Sequence, residues 1–172
     1  DRKALAQEVD AVLEELVSKA NARFDGKYVF SGTQSNTAPV TVARDNEGRI
    51  SMVRQSSDIT GWEQREVQVG DENIHGYGIL AGGSQGIFMN EDHDGSDGDL
   101  ETGASVFDAA IALRDALKDG NLPEDDTISA VQQGLDRATH GLVKNGLDQK
   151  YFTSLETRIS DMQAQTATEL EA

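Results

Sequence analysis

Apolar residues in the first part of the chain recur at helical spacing. Leu5, Val9, Val12, Leu13, Leu16, Val17 and Ala20 fall on one stripe at intervals of three and four, while Glu8, Asp10, Glu14, Glu15 and Lys19 fall elsewhere. The pattern predicts an amphipathic helix over 4–22, ~30 Å long at 1.5 Å per residue, whose partner has to come from distant sequence. At Asp25-Gly26 the helical period breaks, and Tyr28-Val29-Phe30 is a β-branched and aromatic run closed by Ser31-Gly32. From Lys27 to about Leu100 the period is two and glycine is frequent. Strands are expected at Tyr28–Ser31, Val40–Arg44, Arg49–Gln55, Arg65–Val69 and Ile74–Ile79, with Asp45-Asn46-Glu47-Gly48 as a hairpin turn and Gly70–Asn73 as another. Trp62 reads as a packing anchor beside them.

Residues 80–103 hold too many glycines and aspartates for a regular element and read as a loop carrying a buried clip, Ile87-Phe88-Met89. Ser105 is the expected N-cap of a second helix with Phe107, Ala110, Ile111, Leu113 and Leu117 on its apolar face, stopped by Asp119-Gly120-Asn121. Pro123 and the acids at 124–126 open a last helix, placed at Thr127–Leu170, with the acids at the favourable end of its dipole. Its first stripe is Ile128, Val131, Leu135, Ala138 and Leu142, and its second is Tyr151, Leu155, Ile159, Met162, Thr166 and Leu170. Gly134, Gly141 and Gly146 each cost up to ~1 kcal/mol against alanine, so a bend or break near Asn145-Gly146 is expected.

These elements predict an α+β fold, an elongated rod built as an antiparallel coiled-coil-like bundle of about three helices with an inserted small antiparallel β domain. Residues 1–26 and 104–172 would form the rod and 27–103 the β domain. In the expected seam the first helix runs antiparallel to the second half of the last, so that Leu5, Val9, Val12 and Leu16 meet Leu155, Ile159 and Met162, with Leu16 beside Leu155 and Ile159.

Composition narrows the function. The chain has 172 residues, enough for one sizeable domain, and a formal net charge of −16 with a pI near 4.4, which repels polyanions and argues against a nucleic-acid partner. With 37% hydrophobic and 5% aromatic residues the core is expected to be aliphatic, which suits helix packing better than a deep ligand pocket. The chain has no cysteine, so disulfides, thiolate nucleophiles and cysteine-zinc clusters are not available. No apolar run approaches the length of a membrane span, and no cleavable leader is seen. The opening Asp1-Arg2-Lys3, inside a helical pattern, reads as the start of an excised fragment.

Candidate chemistry is sparse. Asp92-His93-Asp94 with Asp97 and Asp99 is the densest group of potential ligands, but an EF-hand loop begun at Asp92 would need glycine sixth and glutamate twelfth, where this chain has Asp97 and Gly103. A solvated acidic loop is the simpler reading. His75, His93 and His140 have no zinc-binding spacing, and Gly82–Gly86 lacks the Lys-Ser/Thr ending of a phosphate loop. No nucleophile, base and stabiliser come together, so no catalytic, cofactor or metal residue is assigned and a non-enzyme is expected.

One resemblance is specific. Leu13-Glu-Glu-Leu-Val-Ser-Lys-Ala-Asn21 followed by Phe24-Asp-Gly-Lys-Tyr-Val-Phe-Ser-Gly-Thr-Gln34 resembles the flagellin-like family of hook–filament junction proteins, the hook-associated protein 3 group. Its helix ends in Ala-Asn, a Gly-aromatic turn and a Phe-x-Gly-Thr-Gln strand. The helix-to-strand junction residues carrying it are Phe24, Gly26, Tyr28, Phe30 and Gly32. Arg65–Asp71 with Ile87-Phe88, Val106–Leu117 and Leu155–Asp161 extend it over most of the chain, whereas Asn145–Asp148 follows the family only loosely. Receptor-activating flagellins carry two arginines where this chain has Val12 and Glu14, so receptor recognition is not carried over.

The resemblance implies an extracellular structural subunit of the bacterial flagellum joining hook to filament, exported without a cleavable signal. The implied partners are the preceding hook-associated protein, flagellin, further copies of the chain and an export chaperone, with no nucleic acid and no membrane. Flagellin itself is the nearest alternative, and a secreted adhesin or ligand-binding module with a helical stalk is the alternative from another class.

Overall fold

The computed structural model describes residues 2–70, 73–90 and 105–170, with the side chains of residues 167, 169 and 170 left aside. The acidic loop expected at Asp92–Asp99 lies outside the described residues.

Helix α1 spans Arg2–Ala20. Three antiparallel hairpins follow: β1 (Arg23–Phe24) with β2 (Lys27–Tyr28), β3 (Val40–Arg44) with β4 (Ile50–Gln55), and β5 (Arg65–Gln68) with β6 (Ile74–Tyr77). Helix α2 spans Val106–Lys118 and α3 spans Asp125–Leu170. The fold is α+β. Among the described residues the β region is three separate two-stranded pieces rather than one sheet, because each has its own turn and only β3–β4 buries a continuous apolar set, Val40, Ile50 and Val53. The strand expected at Tyr28–Ser31 is a correction: only Lys27–Tyr28 pairs, and the chain then bends at residues 29–31 because Ser31 and Gly32 turn back toward other partners.

The core sits where α1, α2, β4 and the clip meet. Leu13, Ala20, Val40, Ile50, Val53, Ala81, Phe88, Met89, Phe107, Ala110 and Ile111 form one cluster, with Val9, Leu16, Val17, Phe30 and Trp62 against it. Phe88 stacks on Phe107 at 5.7 Å between centroids and meets Phe30 edge-on at the same distance. Ser105 caps α2 as expected, its Oγ accepting from Phe107 N at 3.1 Å and Asp108 N at 3.4 Å.

The expected seam is also corrected. The antiparallel partner of α1 is α2: Arg2 donates to Gly120 O and Asp10 pairs with Arg114, so the start of α1 lies by the end of α2. Leu16 packs against the core cluster, while Leu155 lines a groove with Val67 and Val69. The physical reason is α2 itself. It buries Phe107, Ala109, Ala110, Ile111, Arg114 and Leu117, an apolar surface spread over most of its circumference, and so packs on α1 with one side and on α3 with another. Helix α1 turns Ala6, Leu13 and Ala20 inward, which rotates Leu5 and Val12 to the exposed side.

No break interrupts α3 near Asn145-Gly146; the helix is continuous from Asp125 to Leu170. Two of its glycines are points of close approach. A Cβ on Gly134 would lie 2.7 Å from Val106 Cγ2, and one on Gly141 would lie 2.6 Å from Ile87 Cγ2, so the loss of helix propensity is the condition for packing α3 this tightly.

Candidate assembly surfaces

The stretch after α1 is a clasp. Asn21 uses both ends of its amide on one residue of β3, Nδ2 donating to Val40 O at 3.0 Å and Oδ1 accepting from Val40 N at 3.1 Å, which fixes where the helix stops. Val29 N donates to Ala22 O at 3.0 Å, closing the β1–β2 hairpin onto the helix end. Phe30 enters the aromatic cluster while its carbonyl accepts from Ala81 N at 2.9 Å. Buried Ser31 donates through Oγ to Thr37 O at 2.6 Å.

Gly32 has φ +57 and packs so closely on Glu63 O that any Cβ would overlap it. Its own carbonyl accepts from Arg65 Nε at 3.1 Å, while Arg65 Nη2 reaches Tyr28 O at 3.1 Å. Gln34 closes the clasp by donating through Nε2 to Gly61 O at 2.9 Å. The Tyr-Val-Phe-Ser-Gly-Thr-Gln run thus joins the 61–65 segment and the clip, while Asn21 ahead of it ties the end of α1 to β3.

At the tip of this clasp Asp25 and Gly26 both hold positive φ, 49° and 75°, as a two-residue type I′ turn requires. Arg23 stacks its guanidinium 4.2 Å from the Tyr28 ring centroid. Phe24, between them, is 80% exposed.

Arg114 is a structural residue that the sequence reading did not single out. Its Nη1 donates to Asp10 Oδ1 on α1 at 2.9 Å and to Ile50 O on β4 at 2.6 Å, and its Nε to Asp115 Oδ1 at 2.9 Å. Burial disfavours its charge, yet the bonds it donates to Asp115 and Asp10 outweigh that and raise its pKa above the ordinary arginine value. A signal existed: Arg114 takes a helical position shared with Phe107, Ala110, Ile111 and Leu117, and Asp10 lies between Val9 and Leu13.

The seam residues divide. Val9 and Leu16 pack on the core, Leu5 and Val12 are exposed, Leu155 is half-buried, and Ile159 and Met162 are exposed on the part of α3 beyond it. The face α3 gives to the body is made of Ala130, Gly134, Gly141 and Asp148, whereas Ile128, Val131, Leu135 and Leu142 are exposed, Leu135 by 67%. An apolar stripe at helical spacing therefore runs uncovered along α3, beside the packed face and distinct from it.

Farther along, α3 packs on the β5–β6 hairpin. His75 stacks on Tyr151 at 4.1 Å, and His75 and Tyr77 each meet Phe152 edge-on at 5.6 Å. Asp148 accepts from Gly78 N at 3.2 Å and Lys144 Nζ at 3.1 Å, and its Oδ1 lies 3.4 Å from His75 Nε2 without hydrogen-bond geometry. Burial raises the Asp148 pKa, but Lys144 and the Gly78 amide more than offset it, so it lies below the usual carboxylate value. Next to this latch is a groove of about 880 Å³ lined by Val67, Val69, Phe152, Leu155, Ile159 and Met162, with Glu156 and Arg158 also on its wall. Among the described residues no group of three metal-ligating side chains comes together, and no helix is long and apolar enough to cross a membrane.

No family model and no curated protein sequence matches the chain. Among solved structures it is similar to the crystal structure of flagellar hook associated protein-3 from Legionella pneumophila, with a TM-score of 0.57 and 15% identity over 99% of this chain and 82% of that one. At that identity the two share a fold.

Proposed function

We propose that this chain is a structural subunit of the bacterial flagellum that works at the junction between hook and filament. The observation that carries the reading is the uncovered stripe Ile128, Val131, Leu135 and Leu142 on α3, which offers a helix-docking surface in a chain with no metal-binding cluster among the described residues. The fold shared with a flagellar hook-associated protein and the clasp built on Phe24–Gln34 support the same reading. In it the chain acts outside the cell through shape and helix docking rather than chemistry. Its partners are the preceding hook-associated protein, flagellin and further copies of itself, with an export chaperone before secretion.

Antibody labelling of the whole protein on flagellated cells tests this. A single small zone at the base of each filament is expected. Labelling along the entire filament would make the chain a flagellin, and labelling of the cell surface away from flagella would favour an adhesin.

A further inference from the structure

We propose that the β1–β2 turn is a docking knob, and that its socket is the groove between β5 and α3 on a second copy of this chain. The inference deepens the structural reading above and rests on it only for its biological setting.

The knob is preorganised. Asp25 and Gly26 hold the turn at positive φ, Val29 N ties its base to Ala22 O, and the Arg23–Tyr28 stack braces one side. Phe24 is thus presented on a rigid support, and docking it costs little conformational entropy. It is also the most exposed large apolar side chain among the described residues. Aromatic side chains of this kind, held in place and inserted into a partner's pocket, dominate interface energies.

The socket matches it in chemistry. Val67, Val69, Phe152, Leu155, Ile159 and Met162 give the groove an apolar wall, and its volume of about 880 Å³ admits a turn rather than a single ring. Charges alternate on both sides: the knob carries Arg23, Asp25 and Lys27, and the groove wall carries Glu156 and Arg158, so cation can face Glu156 while Asp25 faces Arg158. A second copy is the occupant because the same chain supplies both halves, and a chain of charge −16 can bring copies together only where such local pairing offsets the general repulsion.

Because the chain has no cysteine, single-cysteine variants report proximity cleanly. Lys27→Cys and Ser160→Cys chains, which leave Phe24 and the apolar wall of the groove in place, are mixed, oxidised at about 0.15 M salt, where surface charge is screened beyond ~8 Å, and the mixed dimer is quantified against a Lys27→Cys with Leu135→Cys mixture. The expected result is a mixed-dimer yield roughly fivefold or more above the control, the ratio a specific contact of about 1 kcal/mol produces. Excess cysteine-free chain should compete the cross-link away, and excess Phe24→Ala chain, which keeps its groove but lacks the knob, should compete less well. Equal yields in the two mixtures, or equal competition by the two chains, would overturn the proposal. The cross-link is read on the purified chain and the antibody labelling on cells, so either can fail without the other.

Discussion

Arg114 offers the sharpest test of how α1, α2 and β4 are held together. Its side chain is only 5% exposed and bridges α1 and β4 through Asp10 and Ile50 O, while Asp10 keeps 27% exposure. Truncating one partner of a buried pair costs ~3–5 kcal/mol. Water reaching Asp10 reduces that figure, and the Ile50 carbonyl left unpaired adds ~1–3 kcal/mol. Arg114→Ala should therefore cost about 3 kcal/mol, which in a chain of 172 residues lowers the melting temperature by ~6–12 °C. Arg114→Lys should recover only part of it, because an ammonium cannot fork between a carboxylate and a carbonyl on different elements.

The assay is thermal unfolding by circular dichroism at neutral pH, with a double-mutant cycle using Asp10→Ala and Arg114→Ala. A coupling energy of ~1–2 kcal/mol is expected. If Arg114→Ala melts within ~2 °C of the parent, or the coupling lies within the ~0.3–0.5 kcal/mol of additive sites, the bridge does not hold α1 and α2 together and the reasoning fails.

Three other outcomes follow from single positions. Gly146→Ala, whose Cβ meets nothing within 4 Å, should stabilise α3 by ~0.5–1 kcal/mol, whereas Gly141→Ala should destabilise it by ~1–3 kcal/mol through Ile87; equal effects in urea unfolding would refute the close approach. Bonding by Arg49, opposed by partial desolvation, brings the Asp45 carboxyl down to about 2, so its contribution is complete above the ordinary value of 3.8 and fades as pH falls toward 2. Asp45→Asn should flatten that limb of the pH–stability curve, and an unchanged limb would show that the turn does not depend on the pair. Leu135→Asp should leave the isolated chain's unfolding free energy within ~0.5 kcal/mol of the parent, since the residue is exposed, yet stop filament growth in cells carrying it in the whole protein. Normal filaments would remove the α3 stripe from the proposed function.

Local chemistry carried much of the fold into view from the residues alone. Helix period, the Ser105 cap, the Asp45–Gly48 turn and the alternation at 65–69 depend on neighbours a few positions apart, and the corresponding elements form with boundaries moved by one or two residues. The clasp at 20–38 was legible as a junction because the helical period breaks at Asp25-Gly26 and a β-branched and aromatic run follows it, closed by Ser31-Gly32. Its cross-links from Asn21 to Val40, Arg65 to Tyr28 and Gln34 to Gly61 were not, since nothing in spacing states which distant backbone a side chain meets.

Periodicity determined that α1 and α3 each have apolar stripes, but tertiary structure decided which are used. Leu5 and Val12 share a stripe with Leu13 and Leu16, and α2 selects the rotation that buries Ala6, Leu13 and Ala20. On α3 the small residues Gly134 and Gly141 win the packed face over the stripe of Ile128, Val131, Leu135 and Leu142, because α2 and the clip can approach a backbone without side chains more closely than a row of branched ones. Hydrophobicity along a helix ranks the faces by what they would gain from burial. Which face is buried depends on the shape of the partner, and here the partner is supplied by residues far away in the chain.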